Sequence, residues 1–325
     1  MKLLNPTKQV FAPRLDDWCR SVDEEGDEEW LIDKILPYDA AVLLSGPPKL
    51  GFKTWFAFLV ALLCASGRRL GFLAPNAIVP VLITELEGSR KQTRNRFTFL
   101  CNALGMSLEE LPIYFSHRNG ELIDDVEWTE SIVQFVKEKG IGLVILDTLA
   151  KATTGNENDN QAIGTAMRNI DRVRQAHSGC SFVFLHHLRK PAKDYDADID
   201  HEIRGASAIS GYYDMHWAMR RRRANQSHVD MYIRSSDDED RHFALRWEIT
   251  KEDMKAALSM EEVEGDGLPE DWAEQRIQAM LPDAGYTDKR MSELLEMPLD
   301  RALSAAREME GKGMLRHEKG KWWLG

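Results

Sequence analysis

Apolar residues along the chain follow two alternating patterns. Runs of consecutive apolar residues are typical of buried strands, and stretches with an apolar residue every three or four positions are typical of helices. The strand-like runs are Ile78–Glu85, Ile113–Ser116, Gly142–Asp147 and Ser181–His186, and the helix-like stretches between them are Ser89–Leu104, Glu127–Lys137 and Asn158–His177. Because a crossover helix joins parallel strands, the alternation predicts an α/β domain with a mainly parallel sheet.

The pattern changes after the last of these strands. Leu188–Glu202 is polar and charged, and Arg204–Gly211 has the pattern of a short helix. Strands are predicted at Asp214–Arg220, Val229–Arg234 and His242–Ile249, where they would extend the sheet. The Gly- and acid-rich segment Met260–Pro269 resembles a linker. We therefore predict an N-terminal extension of residues 1–29, an α/β domain of residues 30–258, a linker of residues 259–269 and a small domain of residues 270–325.

The small domain has the pattern of a winged helix-turn-helix. Helices are predicted at Trp272–Met280, Lys289–Glu296 and Leu299–Lys312, and they precede a hairpin with its tip at Lys319-Gly320. In this fold the helix beginning at Pro298 would present Arg301 and Arg307 to DNA, and His317–Lys321 would form the wing. Eleven acidic residues between Glu270 and Glu318 keep a contact with protein, or a regulatory role, open as the alternative.

Composition narrows the class of protein. With 325 residues and 43% apolar content the chain can hold two domains, but no apolar run approaches the roughly 20 residues of a membrane span. The N-terminus lacks the apolar core of a signal peptide, and the four cysteines are scattered, which predicts a cytoplasmic protein with reduced thiols. A net charge of −11 argues against nonspecific coating of DNA.

The segment Ala40–Gly67 predicts a phosphate-binding loop, because an apolar run ends in a Gly/Pro-rich loop and a Lys-Thr pair opens an apolar helix. In such a loop backbone N–H groups face phosphate, Lys53 supplies positive charge and the Thr54 hydroxyl binds Mg²⁺, which predicts ATP and Mg²⁺ as ligands. Phe52 departs from the usual motif, since it separates Gly51 from Lys53. The predicted nucleotide-binding residues are Gly46, Pro47, Pro48, Lys49, Leu50, Gly51, Phe52, Lys53, Thr54 and Trp55.

Carboxylates at strand ends supply the remaining chemistry. Asp147 ends the apolar run Leu143–Leu146, which is where a P-loop ATPase places the acid that holds Mg²⁺ together with Thr54. Thr148 follows instead of Glu, so the group that activates water must lie elsewhere. Glu85 and Glu87 end the preceding strand and share one face of it by the two-residue period.

Five segments in the same order resemble the plasmid RepA-type family of RecA-like hexameric ATPases, which includes replicative helicases of phages and mobile elements. The segments are WLIDKILPYDAAVLLSGPPKLGFKTWFAFLVAL, LITELEGSRKQTRNRF, LVILDTLAK, FVFLHHLRK and IRGASAISGYYD, and the resemblance covers about Trp30–Ile249. It implies an ATP hydrolase that works as a DNA helicase in replication. It also implies Glu87 as catalytic base, with Glu85 as the alternative, and His187 as sensor of the γ-phosphate.

The resemblance implies partners as well. Proteins of this type form rings, usually hexamers, in which a neighbour's arginine completes each site; Arg234 is the main candidate, with Arg204 and the run Arg220–Arg223 as rivals. Single-stranded DNA would pass through a channel lined by the loops after Asp147 and His187, and a primase or replication initiator is a further expected partner. The basic residues in these loops are Lys151, Arg189, Lys190 and Lys193, with several Asp nearby.

Two other functions remain open. One is a recombination mediator that forms filaments on single-stranded DNA. The other is a nucleotide-sensing regulator that binds ATP without turnover and contacts an operator or a partner protein through its winged helix. Phe52 in the phosphate loop and the acidic channel loops are the features that favour the regulator.

Overall fold

A computed structural model describes the chain at residues 14–15, 20, 30–47, 52–109, 111–118, 120–155, 159–188, 203, 209, 211–221, 228–235, 240–250, 255–262, 277, 285–295 and 299–325.

A nine-stranded sheet forms the centre of the larger domain. Its strands are β3 (Ala41–Gly46), β4 (Val81–Glu85), β5 (Ile113–His117), β6 (Leu143–Asp147), β7 (Ser181–His187), β8 (Met215–Arg221), β9 (His228–Ser235), β10 (Arg241–Thr250) and β11 (Lys255–Glu262). They lie in the order β11-β10-β9-β8-β3-β7-β6-β4-β5. The run from β8 to β5 is parallel, and β9 to β11 extend it antiparallel. A two-stranded ribbon of β1 (Trp30–Ile32) and β2 (Leu36–Pro37) precedes the sheet.

Four helices cover the two faces of the parallel part. They are α1 (Phe52–Ser66), α2 (Arg90–Leu104), α3 (Val126–Lys139) and α4 (Asn160–Arg174). The first two pack on one face and the last two on the other, which creates two apolar cores separated by the sheet. Local sequence determines where three of them begin, because the side chains of Ser89, Asp125 and Asp159 accept hydrogen bonds from backbone N–H groups of the first turn.

The observed elements confirm the predicted α/β fold with a mostly parallel sheet. Two boundaries differ from the sequence pattern. The strand predicted from Ile78 begins only at Val81, because Pro80 interrupts the run, and Ile78 itself is exposed. Strand β11 was not predicted, and it crosses the expected boundary between residues 258 and 259. The short helix predicted at Arg204–Gly211 lies mostly outside the described residues.

The C-terminal part has an apolar core of its own. Helices α5 (Asp288–Leu295) and α6 (Leu299–Gly311) precede a hairpin of β12 (Leu315–Glu318) and β13 (Lys321–Leu324). Trp322 of β13 is buried in this core, and its indole Nε1 donates to Asp288 Oδ1 at 2.8 Å. Of the helix predicted at Trp272–Met280, the structure describes Ile277, which is helical and buried in this core.

None of the helices in the described part of the chain is long and apolar enough to cross a membrane.

Candidate active site

Four strands end at one edge of the sheet and bring the predicted polar residues together. The carboxyl ends of β3, β7, β6 and β4 are neighbours, with β7 between β3 and β6. Gly46 ends β3, His187 ends β7 and Asp147 ends β6. Lys53 and Thr54 lie in the first turn of helix α1 beside them. Crevices at this edge of parallel sheets are where α/β proteins bind ligands, so the edge is the candidate active site.

Lys53 is buried, with 6% of its surface exposed, and its ammonium is directed back at the phosphate loop. Its Nζ donates to the carbonyl oxygens of Gly46 at 2.8 Å and Pro47 at 3.2 Å. Burial lowers the Lys53 pKa to about 8, although Asp147 and Glu87 act in the opposite direction. A Cβ at position 46 would stand 3.3 Å from the Lys53 side chain and 3.1 Å from the Met219 carbonyl oxygen. Glycine at position 46 therefore lets the lysine lie against the strand.

The second pair at this edge joins Thr54 and Asp147. The Thr54 hydroxyl donates to Asp147 Oδ2 at 2.7 Å, although the two residues belong to different elements. Asp147 is 1% exposed, and burial raises its pKa to about 6 despite the Thr54 hydrogen bond, which acts to lower it. A hydroxyl and a carboxylate at this distance are the oxygen donors that Mg²⁺ prefers, so these residues fit the predicted metal site.

His187 connects Lys53 to Glu87. Its Nδ1 lies 3.2 Å from Lys53 Nζ, and its Nε2 lies 3.5 Å from Glu87 Oε1. An ammonium has only donors, so Nδ1 accepts and the proton of a neutral ring is on Nε2, facing the carboxylate. The contact with His187 lowers the Glu87 pKa, with smaller contributions from Thr148 and Lys53. Glu87 is therefore ionised at neutral pH and can accept a proton.

Glu85, the alternative base, is engaged in a different way. It is fully buried, and its Oε1 accepts the backbone N–H of Gly88. Its Oε2 accepts the Thr93 hydroxyl at 3.0 Å and lies 3.2 Å from His117 Nε2. Both oxygens thus hold the turn that carries Glu87, whereas 40% of the Glu87 side chain is exposed. The geometry favours Glu87 as the group that meets water.

His117, the last residue of β5, and Arg118, which follows it, also hold this turn, and neither was predicted from the sequence. His117 Nε2 lies 2.9 Å from the Gly88 carbonyl oxygen, so its hydrogen is shared between that oxygen and Glu85. The guanidinium of Arg118 donates to the carbonyl oxygens of Leu86, at 3.2 Å, and Glu87. Arg118 adopts the left-handed conformation, with φ of 53°, which is uncommon outside glycine. The sequence signal that could have identified them is a polar His-Arg pair at the end of a predicted apolar strand.

The other predicted site residues have varied positions. Phe52 is the first residue of α1, and both it and Trp55 pack against the core beneath the loop. Pro48, Lys49, Leu50 and Gly51 lie outside the described residues, as do Arg189, Lys190, Lys193, Arg204, Arg222 and Arg223. Lys151 is exposed in a short 3₁₀ turn after β6.

Arg234 is not at this edge. It lies on β9 opposite His216 of β8 and makes an ion pair with Asp240, Nε to Oδ2 at 3.3 Å. Arg220 lies nearer the phosphate loop, next to the last residue of β8 and opposite Asp230 of β9.

Comparison with known proteins gives the family. Residues 9–193 match the family model AAA_25, described as an AAA domain. No curated protein matches the chain. The matched region begins ahead of β1 and includes Lys53, Thr54, Glu87, Asp147 and His187, and it spans more than half of the 325 residues. The chain therefore belongs to this AAA domain family of P-loop, nucleotide-binding ATPases.

Proposed function

We propose that the chain is an ATP-hydrolysing, RecA-like motor that acts on DNA during replication of a mobile element, as the RepA-type helicases it resembles do. In this proposal Lys53 binds the β- and γ-phosphates, Thr54 and Asp147 hold Mg²⁺, Glu87 activates water and His187 senses the γ-phosphate. The protein works as a ring, expected to be a hexamer, around single-stranded DNA, with a primase or replication initiator as a further partner.

One observation carries the proposal: a continuous line of contacts from Lys53 through His187 to Glu87. Lys53 Nζ and Glu87 Oε1 are joined by the two nitrogens of a single imidazole ring, at 3.2 Å and 3.5 Å. The group expected to bind phosphate and the group expected to activate water are therefore neighbours of the same side chain. A site that only bound nucleotide would have no need of an ionised carboxylate there.

The chemistry follows from these positions. When bound, Mg²⁺ neutralises charge on the phosphate oxygens. Lys53 leaves the carbonyl oxygens of Gly46 and Pro47 for phosphate, because an anion is the stronger acceptor. Glu87, kept ionised at neutral pH by its lowered pKa, orients a water for in-line attack and accepts its proton. Lys53 and Asp147 are buried, so their interactions are kept away from bulk solvent.

His187 could couple nucleotide binding to the loop after β7 that is expected to contact DNA. Phosphate would compete with His187 for the Lys53 ammonium, which would change the hydrogen-bond partners of the ring. Leu188, the next residue, is buried in the second core, and its backbone N–H donates to the Gly46 carbonyl oxygen at 3.1 Å. The loop expected to contact DNA begins at Leu188, directly after His187, so a shift of His187 would be transmitted to the start of this loop.

Steady-state ATP hydrolysis tests the proposal. We would compare wild type, Lys53→Ala and Glu87→Gln, each with and without single-stranded DNA, and use Lys137→Ala on the exposed surface of α3 as a matched control. We expect turnover that rises with DNA, a loss of at least about 100-fold in both site variants, and ATP binding retained by Glu87→Gln.

The same assay separates the other functions. Binding of ATP without turnover in wild type would contradict the motor and leave the nucleotide-sensing regulator. DNA-stimulated turnover without strand separation in an unwinding assay would favour the recombination mediator. Turnover that persists unchanged in Glu87→Gln would contradict its assignment as the base.

A further inference from the structure

A groove lies between α2 and the edge strand β5, outside the active site. Its volume is about 820 Å³, within the range of about 300–1,000 Å³ common for ligand pockets. The floor is apolar and the rim is basic. The floor consists of Phe97, Leu108, Leu111, Ile113 and Phe115, and the rim of Arg90, Lys91, Arg94 and His117.

The basic rim is unusual for this acidic chain. Helix α2 contains four basic residues and no acid, whereas the whole chain carries a net charge of −11. Arg90, Lys91 and Arg94 are exposed, and within the described ranges their side chains make no ion pair or hydrogen bond. Cations in the first turns of a helix are also electrostatically unfavourable, because that end carries positive partial charge. An anion bound at the rim would relieve this repulsion.

The aromatic floor limits which anion fits. Phe115 is 41% exposed, although it packs edge-on against Phe58 and Phe97 with centroid distances of 6.4 Å and 5.9 Å. These contacts fix the ring in one orientation and leave part of it facing the groove. Leu108 beside it is 45% exposed. A rigid, exposed aromatic ring beneath a row of cations is the combination used for single strands, in which bases stack and phosphates meet Arg and Lys.

We propose that this groove binds single-stranded nucleic acid, with phosphates at Arg90, Lys91 and Arg94 and a base against Phe115. The inference rests on the proposed action on DNA, and it places a second contact for the strand outside the channel loops. A duplex would use the cations alone, because its bases are already stacked on each other. An acidic peptide would likewise leave the aromatic floor unused.

The groove also adjoins the turn that carries Glu87. His117 lines the groove and at the same time contacts the Gly88 carbonyl oxygen and Glu85. A strand bound against β5 therefore touches a residue that positions the candidate base. Nucleic acid in the groove would stimulate ATP hydrolysis through this contact.

Fluorescence anisotropy with labelled oligothymidylate tests the proposal on the full chain. The rim variant is Arg90→Gln/Lys91→Gln/Arg94→Gln, and the floor variant Phe115→Leu keeps an apolar side chain. The control is Lys137→Gln/Lys139→Gln/Arg168→Gln, which removes three exposed charges from α3 and α4 on the other face of the sheet. We expect the slope of log K against the logarithm of the salt concentration to be shallower by about 2 in the rim variant, as loss of three phosphate contacts predicts. Phe115→Leu should weaken binding about 5- to 100-fold, as loss of base stacking predicts.

Three outcomes would overturn the proposal. They are unchanged affinity of the rim variant, equal affinity for an abasic oligonucleotide, and displacement of the oligonucleotide by a peptide of the acidic residues 21–30, which would make the groove a peptide site. ATP hydrolysis without DNA is measured on the same proteins. If the wild type hydrolyses no ATP, the proposed function fails. If the wild type hydrolyses ATP but the groove binds no oligonucleotide, only this inference fails.

Discussion

At the residue scale, Asp147 combines two conflicting requirements. In its proposed role the carboxylate must be ionised to hold Mg²⁺, yet it is 1% exposed, and burial raises its pKa to about 6. An acid whose pKa is raised in the folded state stabilises the fold below its unfolded pKa, and this contribution is lost as the pH rises through the folded value. At neutral pH the nucleotide-free protein therefore carries an ionised, buried group at a cost in stability.

Asp147→Asn should stabilise the nucleotide-free protein and abolish its activity. The gain in unfolding free energy at pH 7.5 should be about 2–3 kcal/mol, the equivalent of the shift from 3.8 to about 6. At pH 4 the gain should nearly vanish, because the native carboxyl is then protonated. Thermal melts at both pH values would measure it, with exposed Glu138→Gln as control. An equal melting temperature for Asp147→Asn and wild type at pH 7.5 would contradict the prediction.

Arg118 should act by positioning Glu87. Arg118→Ala removes the donors to the Leu86 and Glu87 carbonyl oxygens without touching the residues expected to bind nucleotide. We expect kcat to fall about 10- to 100-fold with KM nearly unchanged, the magnitude of a small misplacement. Arg118→Lys should recover little, because one ammonium does not reproduce the planar fork. A rise in KM at constant kcat would instead indicate a role in binding.

The choice between Glu85 and Glu87 shows what the sequence could settle at this scale. The two-residue period predicts that both share a strand face, but β4 ends at Glu85, and Glu87 lies in the turn beyond it. Only the fold shows that His117, from another strand, reaches Glu85. Pairings between residues far apart in sequence leave no local pattern, so the sequence could narrow the base to two residues but not to one.

At the element scale, the apolar pattern predicted the parallel strands β3, β4, β6 and β7 because each is buried on both faces and reads as an apolar run. Strand β11 has no such signal. Its sequence, KAALSMEE, consists mostly of good helix formers. It is nevertheless a strand, because it pairs with β10 along its whole length, from Lys255 to Glu262. Tertiary pairing outweighs local propensity here.

The C-terminal hairpin was predicted correctly from its turn. Lys319 and Gly320 have φ of 53° and 71°, which a two-residue hairpin turn of type I′ requires, and glycine adopts it without strain. The hairpin closes the C-terminal core through Trp322, whose backbone pairs with Tyr286 in both directions. Whether this core belongs to a winged helix that contacts DNA stays a prediction.

Trp322→Ala should unfold the C-terminal core selectively. Loss of the buried indole should cost about 3–5 kcal/mol, a large fraction of the stability of so small a unit. Limited proteolysis should then cleave this part of the chain rapidly, while ATP binding remains, because Phe52 and Trp55 of the predicted nucleotide site pack on a different core. Lys321→Ala, exposed on the same strand, is the control. A loss of ATP binding in Trp322→Ala would show that the two parts depend on each other.

At the scale of the whole molecule, the position of Arg234 bears on assembly. Arg234 lies opposite His216, three residues along β8 from Met219, whose carbonyl oxygen adjoins Gly46. At about 3.3 Å per residue, this places Arg234 about 10 Å along the strand direction from the level of Gly46, toward the opposite edge of the sheet. Strand β9 is also two strands away from β3 across the sheet. Such an arginine cannot easily serve the site of its own subunit. It would complete a site only on a neighbouring copy, as the proposed ring requires.

Mixing of inactive subunits tests this arrangement. Lys53→Ala and Arg234→Ala should each lack activity, because every site needs its own Lys53 and the Arg234 of a neighbour. In a random mixture of equal parts, an Arg234→Ala subunit beside a Lys53→Ala subunit has both groups, so about a quarter of the sites should recover. Arg220→Ala in place of Arg234→Ala tests the rival arginine. If activity recovers in the mixture with Arg220→Ala but not in the mixture with Arg234→Ala, Arg220 is the arginine that completes the neighbour's site. Full activity of Arg234→Ala before mixing would exclude Arg234 from this role. If Lys53→Ala and Arg234→Ala are each inactive and their mixture is inactive too, Arg234 acts within its own subunit. The site would then need no neighbouring subunit, and the argument for a ring would fail.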